Sequence, residues 1–256
     1  MRISKGLSFI VLCVLCGCGP NYYLPTKQNV MIFEEKGDVI VAANLGSSNT
    51  VGVEAGYAFT DNWGIYSGFN SFSISKYRTE NDWLIKDFIW DNELVYFKKY
   101  KNNLYTGLNL GYGIGKINNK NSYFDLSLQR QFLQPSVGIT IFDNFQMALS
   151  MRATRLDYNF KLIQPDYNQY DFDMAVKYFM IEDIIQDKNF LFIEPALNFG
   201  WTFEFFNIKY QCAFIKEIIG ANNFYLSGSG SASISLNLNK LFFNPYDKTK
   251  KLKWKL

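Results

Sequence analysis

Residues 104–115 read Leu-Tyr-Thr-Gly-Leu-Asn-Leu-Gly-Tyr-Gly-Ile-Gly. Alternate positions separate into two sets: Leu104, Leu108, Leu110, Tyr112 and Ile114 on one side, Tyr105, Gly107, Asn109, Gly111, Gly113 and Gly115 on the other. A period of two marks a β-strand, whose successive side chains point to opposite faces. What decides the fold is which face carries bulk. A water-soluble sheet fills its core with large side chains and turns charge outward. Here one face is large and apolar and the other is mostly glycine. Slender residues packed inside a closed sheet, with bulky ones turned to lipid, are the inside-out arrangement of a transmembrane β-barrel.

Working outward, the same division recurs. Val51, Val53, Ala55 and Tyr57 oppose Gly52, Glu54 and Gly56; Phe145, Met147, Leu149 and Met151 oppose Gln146, Ala148, Ser150 and Arg152. Leu197, Phe199 and Trp201 oppose Glu194, Asn198 and Thr202, and Ile234 and Leu236 oppose a ladder of Ser231, Ser233 and Ser235. Ten candidate strands result, at about 38–46, 50–60, 64–75, 88–100, 104–116, 122–142, 145–160, 190–204, 206–219 and 224–240. The expected fold is an all-β, antiparallel up-and-down transmembrane barrel of about ten strands, with 8–12 allowed by the weak pattern over 64–100. Connections at 60–63, 101–103, 142–144 and 204–206 are tight, as periplasmic turns should be, whereas 76–87 and 161–189 are long outward loops. Trp63, Phe142, Phe145, Phe205 and Phe206 lie beside the tight turns, where an aromatic girdle is expected. The alternation changes phase near Phe132-Leu133, and related words end in Pro135 and Pro195, so a bulge or local break is predicted at both.

Composition agrees. The 256 residues are 48% hydrophobic, yet mean hydropathy is only −0.10, so apolar residues are interleaved and not gathered into membrane helices. Net charge is +3 with no broad basic surface outside the C-terminus, which argues against nucleic acid. Histidine is absent. That removes the commonest general base, the commonest metal ligand and every Ser/His or Cys/His arrangement, so neither catalysis nor a metal site is expected.

At the N-terminus, Arg2 and Lys5 precede an apolar run over 7–15, too short to span a bilayer and typical of a secretory signal. Leu15-Cys16-Gly17-Cys18 follows and resembles the bacterial lipobox. Cys13 and Cys16 follow bulky leucines, so Cys18 is the expected site of lipidation, with acyl chains such as palmitate as the only covalent group. The segments are then a signal peptide over 1–17, a lipidated tether over 18–37 with an apolar docking piece at 30–33, a barrel over 38–242, and a basic periplasmic tail over 243–256. Only Cys212 remains in the mature chain, which excludes a disulfide framework. Inside the lumen, Arg152 and Glu194 are expected to meet with Gln134 in support, and Glu54 and Lys209 also point inward.

The lipobox at Cys18, the Pro-containing tether, the word Tyr57-Ala58-Phe59-Thr60-Asp61-Asn62-Trp63-Gly64 and the two Phe-x-x-Pro words together resemble a family of outer-membrane β-barrel lipoproteins of Bacteroidota-type bacteria. The resemblance implies an outer-membrane location among outer-membrane lipids, delivery by the barrel-assembly and lipoprotein-sorting machinery, and no particular activity. Surface-exported members carry acidic residues after the lipid cysteine. Gly19-Pro20-Asn21-Tyr22-Tyr23 has none, so the resemblance implies an anchor facing the periplasm. The expected role is structural, surface-binding or that of an accessory subunit, with 161–189 as the surface for a protein partner. A narrow channel for ions or small solutes is the alternative. A histidine-independent outer-membrane enzyme is the second, since the ten-stranded proteases of the omptin family depend on histidine.

Overall fold

The structure is a computed structural model that describes residue 23 and residues 26–30, 33–46, 50–76, 83–101, 103–119, 124–141, 144–162, 189–219 and 226–242. Cys18, the signal segment, residues 163–188 of the long loop, Phe142 and the tail after 242 lie outside the described residues.

Ten strands form: β1 (Val39–Gly46), β2 (Thr50–Ala58), β3 (Trp63–Lys76), β4 (Trp83–Lys99), β5 (Leu104–Asn119), β6 (Phe124–Ile141), β7 (Phe145–Leu162), β8 (Asn189–Thr202), β9 (Phe206–Ile219) and β10 (Leu226–Asn237). Each pairs antiparallel with its sequence neighbours, and β1 pairs with β10, which closes the barrel. The fourth strand begins at Trp83, earlier than 88, and the last gives way at Leu238–Phe242 to a short helix, α1. The four expected tight connections hold three or four residues each; at the opposite end 163–188 is long as expected, but 77–82 has only six residues, not the long loop expected over 76–87, and 47–49 and 120–123 are as short as the tight turns. Local chemistry sets them: Thr60 Oγ1 accepts from the backbone N–H groups of Asn62 (3.2 Å) and Trp63 (2.8 Å), and Asn103 takes a φ of 56°, a region asparagine tolerates.

The faces divide as the alternation requires. Leu149 and Ile234 are 59% and 57% exposed on the outside, while Gly111 faces the lumen against Phe132. Outward positions on β7 stay apolar from Phe145 to Ala153 and then turn to Arg155, Asp157 and Asn159. On β6, Gln131 pairs with Arg155 at the same level. A run of that length suits a tilted strand, which crosses hydrocarbon in about 9–11 residues. At the opposite border Trp63 packs on Tyr96 (5.2 Å), Phe145 on Trp201 (5.0 Å) and Phe203 on Phe206 (4.3 Å), all beside the tight turns.

One expectation needs correction, and another is met in one of its two forms. β6 does not change phase: Leu126, Leu128, Arg130, Phe132 and Gln134 all face inward, and its register with β5 runs unbroken from Asn118↔Asp125 to Leu104↔Ile139. The apparent switch arose because the lumen is itself apolar at that height. The prolines cause breaks without bulges. Pairing of β6 with β7 lapses between Leu133 and Ser136, and that of β8 with β9 between Ile193 and Ala196, while the other edge of each strand stays paired. The register shift in this sheet lies at Leu191/Phe192.

The lumen has three layers. Farthest from the tight turns sits an apolar cluster that includes Tyr23, Phe72, Leu128, Leu156, Phe190 and Phe192. Nearest to them Phe33, Ile40, Ala58, Tyr66, Val95 and Phe97 form a second. Between the two lies a layer of buried polar and charged groups.

Candidate functional site

The residues expected to form a tether occupy the lumen. Tyr23, Thr26, Gln28, Asn29, Val30 and Phe33 are all buried inside the barrel. A chain crossing a closed barrel has no strand partner, so its peptide groups must find side chains. They do. The Thr26 carbonyl accepts from Arg152 Nη1 (3.3 Å) and that of Lys27 from Arg152 Nη2 (3.1 Å). The Gln28 carbonyl accepts from Gln211 Nε2 (3.1 Å), while its N–H donates to Gln211 Oε1 (3.1 Å). The Asn29 carbonyl accepts from Gln134 Nε2 (2.7 Å) and Asn109 Nδ2 (3.1 Å), and the Val30 carbonyl from Lys209 Nζ (2.8 Å). Five consecutive carbonyls are thus held by the wall.

Side chains of the segment add a second set of contacts. Tyr23 stacks on Phe192 (4.4 Å) and donates to Glu194 Oε1 (2.7 Å). Lys27 Nζ lies 2.6 Å from Glu54, which also accepts from Tyr66 (2.6 Å). Gln28 reaches Ser150 and the Glu194 carbonyl, both at 2.7 Å, and Asn29 donates to Glu93 (2.9 Å). Arg130 binds both Asp91 and the Thr26 hydroxyl. The buried acids Glu54, Asp91, Glu93 and Glu194 therefore stand against Lys27, Arg130, Arg152 and Lys209. Both guanidinium groups contact the Phe132 ring, its centre 4.5 Å from Arg152 and 5.4 Å from Arg130. This cluster needs the glycines of β5. A Cβ on Gly111 would fall on the Phe132 ring, and one on Gly113 would meet Asp91 and Arg130.

No family model and no curated protein matches the chain. Among solved structures, it is similar to in-vitro folded OmpT, an outer membrane protein of Vibrio cholerae, at 7% identity and a TM-score of 0.34, over 73% of this chain and 55% of that one. The match therefore spans about half of the OmpT chain. The β domain of the Bordetella autotransporter BrkA aligns at 9% identity and a TM-score of 0.44, covering 78% of this chain and 84% of that one. The KdgM porin gives 6% and 0.36, over 78% and 98%.

All five lumen residues expected from the alternation, Glu54, Gln134, Arg152, Glu194 and Lys209, face inward, and each bonds the N-terminal segment. The expected Arg152–Glu194 contact is replaced. They oppose one another in the register, but Arg152 turns to Gln134 (2.8 Å) and to the segment, while Glu194 is taken by Tyr23 and Thr154. An inserted chain with unmet carbonyls draws the guanidinium away from its cross-strand neighbour. Asn109 was placed on the inward face by the alternation of β5, whereas Asp91, Glu93, Arg130 and Gln211 went unrecognised. Polar Asn92 and Ser67, bonded to one another (2.9 Å) on the outer face, blur the alternation of β4. Beside the segment, along β9 and β10, a cavity of about 20 Å³ remains, bordered by Lys27, Lys209, Ser231 and Ser233. That volume suits water and no larger solute.

Proposed function

We propose that the protein is an outer-membrane β-barrel that seals its own lumen, and that its role is structural, surface-binding or that of an accessory subunit, with no catalytic step. The observation that carries this reading is the row of five carbonyls, Thr26 to Val30, each held by a wall side chain. Such a segment is built into the barrel and is not lodged there by chance, and it fills the polar layer between two apolar clusters. The bulky outer face and the aromatic border support an outer-membrane location. A lipid on Cys18 would add a second hold on the membrane. Partners on this reading are outer-membrane lipids, the machinery that assembles barrels and sorts lipoproteins, and a protein bound at 161–189.

Conductance in planar bilayers tests the reading. The full chain is expected to stay silent. Asn29→Ala combined with Gln134→Ala, which removes contacts at mid-lumen, is expected to produce brief openings. Steady conductance by the full chain would overturn the sealed-barrel reading, and a chain that purifies as a soluble protein would overturn the membrane assignment.

A further inference from the structure

The lumen segment has a direction. Along β4 toward its tight turn, Asp91, Glu93 and Phe97 meet Thr26, Asn29 and Phe33 in that order. Higher-numbered residues of the segment therefore lie nearer the tight turns. The order is fixed at both ends. Gly37, with a φ of 89° that favours glycine, donates its N–H to the Ala58 carbonyl (2.7 Å) beside the first tight turn. Tyr23 lies in the far apolar layer, stacked on Phe192. Phe192 pairs with Thr154, one residue from Arg155, where the outward apolar run of β7 has ended.

We infer that the chain before Tyr23 leaves the barrel through the mouth opposite the tight turns, so that Cys18 and any acyl chains it carries lie on the external side of the outer membrane. The inference rests on the proposed outer-membrane barrel with its tight turns in the periplasm. It reverses the periplasm-facing anchor implied by the family resemblance. Reach decides between the two sides. Cys18 lies five positions before Tyr23, and five extended residues span at most about 18 Å. The apolar band of an outer-membrane barrel is about 25 Å tall, and Tyr23 already stands at its far edge, so the chain is too short to return Cys18 to the periplasmic side. Space agrees: where the segment passes β9 and β10, the cavity beside it is only about 20 Å³, too small for a second run of chain. The barrel thus carries the chain before Tyr23 across the membrane.

The test is thiol labelling of whole cells with a membrane-impermeant maleimide, using Asn21→Cys, Lys36→Cys and Asp61→Cys in the full chain. The parent chain, whose Cys212 is buried, gives the background and reports whether the Cys18 thiol is blocked by acylation. Asn21→Cys is expected to label at least tenfold above Lys36→Cys and Asp61→Cys in intact cells, and the latter two are expected to catch up once the outer membrane is permeabilised. If all three label only after permeabilisation, the outward exit is wrong. Labelling of Asp61→Cys and Lys36→Cys, but not Asn21→Cys, in intact cells shows a barrel inserted the other way up and overturns the external placement while leaving the lumen threaded. Recovery of all three variants away from the outer membrane overturns the proposed function itself.

Discussion

At the scale of single residues, the lumen is governed by which small side chains leave room for large ones. Gly111 is the clearest case, because a methyl group there would occupy the Phe132 ring that contacts two arginines. Gly111→Ala is expected to destabilise the barrel by about 1–3 kcal/mol, measured by thermal unfolding in detergent. Phe132→Leu on that background should recover part of the loss, which a simple backbone effect of the glycine would not allow. Arg152 is the most connected wall residue, bonding Gln134 and two carbonyls of the segment. Arg152→Met leaves those acceptors buried and unmet, at a cost of about 3 kcal/mol, read in the same unfolding experiment. The inward orientation of Arg152 was legible from the alternation of its strand. Gln134 was legible as its partner too, but the carbonyls of Thr26 and Lys27 were not, because they are main-chain oxygens of a segment with no periodic pattern.

At the scale of elements, the strands were readable nearly to their ends because period-two alternation and tight turns point to the same boundaries. β6 shows where that reading fails. Its outer half is apolar on the inward face, with Leu126 and Leu128 in the far lumen cluster, so the polarity contrast between faces inverts without any change in the backbone. The N-terminal segment was opaque for the opposite reason: it crosses the barrel without joining the sheet, and its bonds come from side chains scattered over seven strands. The apolar run of β7 makes a prediction proper to an element. Leu149→Arg places a charge within the lipid-facing run, at a cost of about 2–4 kcal/mol near the bilayer midplane, and should sharply reduce insertion into vesicles. Arg155→Leu, just past the end of that run, should insert as the parent does, both measured by protease protection.

At the scale of the whole molecule, segment and barrel depend on one another. The wall's buried polar groups are met largely by residues 23–30, with Lys27 adding one charge against Glu54, and the polar layer they share is closed above and below by apolar clusters. A lumen emptied of its segment would leave Glu54, Gln134, Arg152 and Lys209 without those partners in a poorly hydrated space. Hydrogen exchange should therefore show the amides of 26–30 opening together with the central strands, in one cooperative event. Exchange of the segment at a much lower free energy than the strands would show that it moves in and out on its own.

The grip on five successive carbonyls has a consequence for how such a chain can vary. Main-chain oxygens are the same in every amino acid, so a position of the occupant held chiefly by its carbonyl, as Val30 is, can drift in sequence as long as its bulk is kept. Lys27 and Asn29, whose side chains answer buried Glu54 and Glu93, have less freedom, and the residues doing the holding, Gln134, Arg152, Lys209 and Gln211, have none. In a library randomised at both places, survivors should be diverse at Val30 and nearly uniform at Lys27 and at those four sites.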